Sequence, residues 1–193
     1  MAGTDALARS RTAEDSRARL RDMIKRKSLL LGGDFKLASG RRSAFFFDMK
    51  KTMFDPEGIN LIAEVVYDLI KSDRDVSAVG GLEMGAVPVA LAVAMRSQRE
   101  RPVQAFFVRK TPKGHGTDNL IDGNLAPGAT VALFEDVTTT GGSAMKAVEA
   151  VRAQGCKIKK LITIVDRLEG AKAVFDAAGI SLQPVFTLKD FDA

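Results

Sequence analysis

The chain has one cysteine, Cys156, and one histidine, His115. A single thiol excludes an intramolecular disulfide and fits a reducing, cytoplasmic compartment. A lone histidine with no second imidazole or thiol cluster argues against a Cys/His metal centre. Long apolar runs are missing as well. None approaches the roughly 20 residues that span a bilayer, so no membrane partner is expected. The opening MAGTDALARSRTAEDSRARLRDM lacks the apolar core of a secretory signal, and Asp5, Glu14, Asp15 and Asp22 argue against a transit peptide. No internal repeat or low-complexity linker divides the chain, and 193 residues with a 46% hydrophobic fraction read as one domain, residues 1–193.

The formal charge is +5. Such an excess suits nucleic acid, a membrane surface or a phosphorylated small molecule, so its distribution must decide. Many of the basic groups fall in residues 1–27, which read as a solvated, charged face. A helix-turn-helix module would need more chain than this segment offers.

Periodicity organises the rest. A charged helix is expected from about Thr12 to Leu31, closed by Gly32-Gly33. AFFFDMK is a short strand. PEGINLIAEVVYDLIKS sets Ile59, Ile62, Ala63, Val66, Leu69 and Ile70 at helical spacing. DVSAVGG, PVQAFFV, TVALFE and KKLITIV read as strands. Pro88 suits the first turn of one intervening helix. Ala144, Ala147, Val148 and Val151 form the face of another, stopped by Gly155. Alternating strands and helices predict an α/β fold with a central parallel sheet and flanking helices. Ligands on such sheets sit beyond the carboxyl ends of strands.

One such end stands out, in TVALFEDVTTTGGSAMKAVEAVRAQG. Gly141 and Gly142 would let the backbone approach a ligand and adopt positive φ. Thr138, Thr139, Thr140 and Ser143 offer hydroxyls, and the following helix adds free N–H groups and a partial positive charge. Together these make a phosphate cradle. Glu135 and Asp136 would repel a phosphate, so they should face a sugar's hydroxyls or a magnesium shell. The plainer reading is a loop whose Thr and Ser merely cap a helix. No Lys-Ser or Lys-Thr follows the glycines, so this is not a nucleoside-triphosphate P-loop. A second stretch, FFVRKTPKGHGTDNL, packs Arg109, Lys110, Lys113 and His115 between glycines, as a solvated loop or a lid over an anion would.

VALFEDVTTTGGSA resembles the ribose-phosphate signature of type I phosphoribosyltransferases. VRKTPKGHG, FKLASGRRSAFFFDMK, IVDRLEG and GGLEMGAVPVA resemble, in order and spacing, segments of the orotate phosphoribosyltransferase family, over roughly Leu29 to Gly170. The resemblance implies a type I phosphoribosyltransferase fold with a small hood built from about residues 1–50 and 170–193. It also implies transfer of ribose 5-phosphate from 5-phosphoribosyl 1-pyrophosphate (PRPP) to orotate, giving orotidine 5-phosphate and pyrophosphate in pyrimidine (UMP) biosynthesis.

Residue by residue, the implied roles are these. Glu135 and Asp136 hold the ribose hydroxyls, and Val137, Thr138, Thr139, Thr140, Gly141, Gly142 and Ser143 wrap the 5-phosphate. Arg109, Lys110, Lys113 and His115 meet the pyrophosphate. Phe46, Phe47 and Thr139 contact the base, and Arg167 its carboxylate. Lys113 and Asp136 carry the catalytic roles. Mg2+ arrives with the sugar pyrophosphate rather than in a protein cage, and the enzyme is a homodimer that exchanges its basic loop. Neither nucleic acid nor membrane is a partner. The sequence departs from the family where lysines are common, at Ala38 and at Met84-Gly85. Lys36, Arg41, Lys50 or Lys51, or backbone N–H groups, would have to compensate. A phosphoribosyltransferase for another base and a ligand-sensing nucleic-acid regulator stay open as alternatives.

Overall fold

In a computed structural model, residues 2–36, 40, 42–111 and 120–191 are described, with side chains from residue 13 onward. Helix α1 spans Ala2–Lys27. Strands β1 (Leu29–Lys36) and β2 (Arg42–Phe47) form an antiparallel hairpin. The short helix α2 (Lys50–Met53) follows. Helix α3 (Pro56–Ile70) starts where Asp55 accepts the N–H groups of Glu57 and Gly58 at 3.0 and 2.9 Å, with Pro56 in its first turn. Then come β3 (Ala78–Gly80), α4 (Ala86–Ser97), β4 (Gln104–Val108), β5 (Ile121–Gly123), β6 (Thr130–Thr138), α5 (Gly142–Ala153), β7 (Lys157–Asp166), α6 (Ala171–Ala177) and β8 (Leu182–Thr187). A 3-10 turn, Leu188–Phe191, ends the described chain.

Among the described residues the central sheet has six strands in the order β5-β4-β3-β6-β7-β8. Both its faces are covered, and β6 shows why. Ala132 and Phe134 pack toward α1, α3 and α4, while Val131 and Leu133 pack toward α5 and α6. Period-two alternation with apolar residues on both faces is what a doubly covered strand requires. The chain leaves β3 toward β4 on one side and returns to β6 on the other. A crevice therefore opens at the carboxyl ends of β3 and β6, where the strand order reverses.

One expectation needs correction. Gly32-Gly33 do not close α1. The helix stops at Lys27, and Leu29, Leu30 and Leu31 pair with Phe47, Phe46 and Phe45. Gly32, at φ +74°, marks a register shift in that hairpin rather than a helix end. The central sheet is parallel as expected, apart from the edge strand β5, which runs antiparallel to β4. Strand β8 extends the central sheet beside β7, burying Val185 and Phe186, and the terminal turn reaches the hairpin. There Phe191 meets Phe47 at 5.2 Å and Phe186 at 5.7 Å between ring centres.

Candidate active site

A cavity of about 500 Å³ opens beyond the carboxyl end of β6. It is bordered by the whole run Glu135–Ser143, by Phe46 and Phe47 of the hairpin, and by Arg167 after β7. Residues far apart in sequence thus meet in one place, as the order of the strands dictates.

The Thr/Gly loop enters α5 through Gly141 at φ +86°, and no side chain caps that helix. The first N–H groups of α5 are therefore available to an anion, which disfavours the plain capping reading. Of the two glycines only Gly141 adopts positive φ. A Cβ on Gly142 would meet nothing within 4 Å, so its backbone lies open to an approaching ligand. Thr138 departs from expectation. Its hydroxyl is buried, 3.4 Å from both Thr163 Oγ1 and Asp166 Oδ1, so only its backbone is left to face a ligand. Strand alternation turns that side chain inward.

Glu135 is buried, and its Oε2 has no hydrogen-bond partner among the described residues. Burial pushes its carboxyl well above the usual carboxylate range. The neighbouring Asp136 charge pushes the same way, and Lys110 opposes both. A raised folded-state pKa means that the folded chain binds the extra proton. Stability is therefore fully present below the ordinary carboxylate range and falls as pH rises from there through the raised value. Glu135→Gln is expected to raise the melting temperature in mildly alkaline buffer and flatten its dependence on pH. Thermal denaturation across a pH series checks this, and an unchanged slope would show that Glu135 ionises freely.

Asp136 Oδ1 accepts the Val137 N–H at 2.9 Å. Across the crevice lies Gly85, where an added Cβ would fall 2.4 Å from Asp136 Oδ1 and 2.7 Å from its Cγ. A side chain at 85 would require the Asp136 carboxylate to move. The preceding Met84 is exposed, and the Glu83–Met84 peptide is cis.

Arg167 is 3% exposed. Its backbone N–H donates to Thr138 O at 3.0 Å. Its Nη2 donates to Ser43 Oγ at 2.9 Å, its guanidinium lies 4.2 Å over the Phe45 ring, and its Nε is 2.7 Å from Glu169 Oε1. Phe46 stacks on Phe35 at 5.8 Å, whereas Phe47 is largely core. Arg109 and Lys110 do not border the cavity. Arg109 pairs with Asp122 of β5, and the Lys110 N–H donates to Glu83 Oε1 at 2.9 Å. Lys113 and His115, like Ala38 and Arg41, lie outside the described residues.

The structure also adds residues. Lys146 borders the cavity, as does Lys50, one of the cations named above as compensating for the missing lysines, and Phe45 and Glu169 hold Arg167. Lys146 was legible as a lysine one helical turn beyond Ser143. Phe45 was hidden because three consecutive phenylalanines give no clue to which faces the arginine.

A switch-point crevice with an uncapped helix N-terminus behind a Thr/Gly loop and an acidic pair defines the class, and residues 51–186 match the phosphoribosyl transferase domain family. Within that class the chain belongs to the orotate phosphoribosyltransferase family. It is 50% identical over 182 residues to the orotate phosphoribosyltransferase of Rhodopseudomonas palustris (strain BisB5), covering 91% of this chain and 96% of that protein. Among solved structures it is similar to the Mycobacterium tuberculosis H37Rv orotate phosphoribosyltransferase in complex with Fe(III) dicitrate. That match has 36% identity and a TM-score of 0.81, and covers 92% of this chain and 99% of that one. The same protein in complex with PRPP matches at 34% identity with a TM-score of 0.76, covering 92% of this chain and 99% of that one.

Proposed function

We propose that this chain transfers ribose 5-phosphate from PRPP to orotate, releasing pyrophosphate and forming orotidine 5-phosphate for pyrimidine (UMP) synthesis in the cytoplasm. The observation that carries this reading is one cavity holding three unlike parts. An anion cradle stands at α5, a carboxylate pair lies beside it, and a buried guanidinium sits across from both. A phosphorylated sugar and a flat, carboxylate-bearing base are the ligands that satisfy all three.

In the reaction the bond from the sugar's C1 to pyrophosphate breaks, with its electron pair leaving on the phosphate oxygen. A ring nitrogen of orotate then bonds C1, and its proton departs. The uncapped N–H groups of α5 and the hydroxyls of Thr139, Thr140 and Ser143 hold the 5-phosphate, while Gly142 lets the backbone approach it. Glu135 and Asp136 take the ribose hydroxyls. A hydroxyl donor would satisfy the bare Glu135 Oε2 and offset its burial. Phe46 and Phe47 flank the base, Thr139 adds a contact, and Arg167 meets the carboxylate. Arg109, Lys110, Lys113 and His115 stabilise charge on the leaving pyrophosphate, with Lys113 the principal group.

Magnesium enters with PRPP. Buried Glu135 and adjacent Asp136 suit its hydration shell, and the bound ion would neutralise leaving-group charge. Among the described residues no cluster of three metal-ligating side chains offers a cage of its own.

Loss of orotate's ultraviolet absorbance with PRPP and magnesium tests the activity. No loss with orotate beside turnover of adenine or uracil would overturn it. The same reading includes a homodimer whose basic loops cross into the partner's site. The exposed Leu91 and Met95 of α4 support it, and a monomeric mass in solution would remove it.

A further inference from the structure

The contacts of Arg167 carry one inference that rests on the reading above. The guanidinium is almost wholly buried, so its charge requires a counter-ion close by. Glu169 supplies one, with Oε1 at 2.7 Å from Nε, and Ser43 Oγ takes Nη2 at 2.9 Å. Nε and Nη2 form the lateral fork with which an arginine grips a planar carboxylate through two parallel bonds. The acceptors on that fork are thus a protein carboxylate and a hydroxyl, where a carboxylate-bearing base would present two oxygens.

The Glu169 contact has the features of an exchangeable partner. The Nε–H is not aligned on Oε1, so the pair is held by charge rather than by a directed hydrogen bond. The Glu169 side chain is 19% exposed against 3% for Arg167, so it has a way out to water. It also sits between two residues of positive φ, Leu168 at +59° and Gly170 at +106°. Leu168 is held in that conformation because its N–H donates to Asp166 Oδ1 at 2.9 Å. The Phe45 ring 4.2 Å beneath the guanidinium and the Ser43 hydroxyl come from β2, a different element. The arginine therefore stays in place if Glu169 leaves.

We propose that Glu169 is an internal stand-in for the substrate's carboxylate, competing with orotate and with orotidine 5-phosphate for Arg167. It keeps the buried guanidinium paired when no base is bound. It also weakens ground-state binding of both carboxylate-bearing ligands, which favours product release. Binding weakened equally in ground and transition states changes KM and leaves kcat alone.

The test is Glu169→Gln, which keeps size and removes charge. KM for orotate and the inhibition constant of orotidine 5-phosphate are expected to fall about three- to tenfold, with KM for PRPP unchanged. A second readout does not need turnover. The variant's melting temperature should drop without ligand and rise further than wild type's on adding orotate, since the ligand then supplies the missing counter-ion. If Glu169 instead holds Arg167 in position for the substrate, KM for orotate rises. An increased or unchanged KM, or an orotate-induced melting shift no larger than wild type's, overturns the proposal. A wild-type protein that does not consume orotate overturns the assigned activity instead, so the two failures are distinguishable.

Discussion

Gly85→Ala is expected to lower turnover about a hundredfold while leaving the fold intact. Nothing in the backbone opposes alanine there. Gly85 has φ −59° and ψ −39°, ordinary helical values, and it immediately precedes α4. On conformational grounds alone a glycine-to-alanine change at such a position stabilises by roughly 0.4–1 kcal/mol. The opposing effect is local, because the new Cβ would stand 2.4 Å from Asp136 Oδ1. Relief requires the carboxylate or the segment after β3 to move by an ångström or so. Asp136 borders the cavity proposed to hold the sugar, and misplacement on that scale can cost two orders of magnitude in rate. Paired measurements of kcat/KM and melting temperature check this. A variant of normal stability and activity within twofold of wild type would show that Asp136 has room the structure does not reveal.

Lys113→Ala should reduce kcat by about 10²–10³-fold, with a much smaller effect on orotate binding. Residues 112–119 lie outside the described residues, but the roots of that stretch are set. The Arg109 N–H donates to Leu120 O at 2.7 Å, and Arg109 pairs with Asp122. Arg109 and Leu120 therefore lie side by side at the end of β4, next to β3. Just beyond, Lys110 is near enough to Glu135 to pull its carboxyl downward against burial. Positive charge from Lys110 thus reaches the cavity's acidic side. A lysine there would stabilise the leaving pyrophosphate, whose negative charge grows as the bond breaks, more than it would the bound base. Single-turnover rates beside orotate titrations separate the two effects. Turnover equal to wild type would remove Lys113 from the chemistry.

These two positions show how differently sequence and structure speak. Lys113 was singled out by the family resemblance, since the basic run alone reads equally as a solvated loop or as a lid over an anion. Gly85 was legible only as an unexpected glycine where a lysine is common. Its closeness to Asp136 became visible once β3 and β6, about fifty residues apart in the chain, were side by side. Gly32-Gly33 makes the same point in reverse. A glycine pair after a helical pattern reads as a stop, yet the leucines before it were committed to pairing with Phe45, Phe46 and Phe47.

The amino-acid sequence by itself determined the alternation of strands and helices, the Thr/Gly loop with its acidic pair, and the type of ligand these suit. Such features depend on residues close together in the chain, where periodicity and helix-end chemistry act directly. The tertiary structure alone decided that Thr138 turns its hydroxyl inward, that Gly85 abuts Asp136, that Phe45 rather than its neighbours supports Arg167, and that Glu169 stands on that arginine. Each of these depends on packing between segments brought together by strand order. Contacts between residues distant in sequence leave no periodic trace in either segment, and burial then fixes which polar groups must find partners.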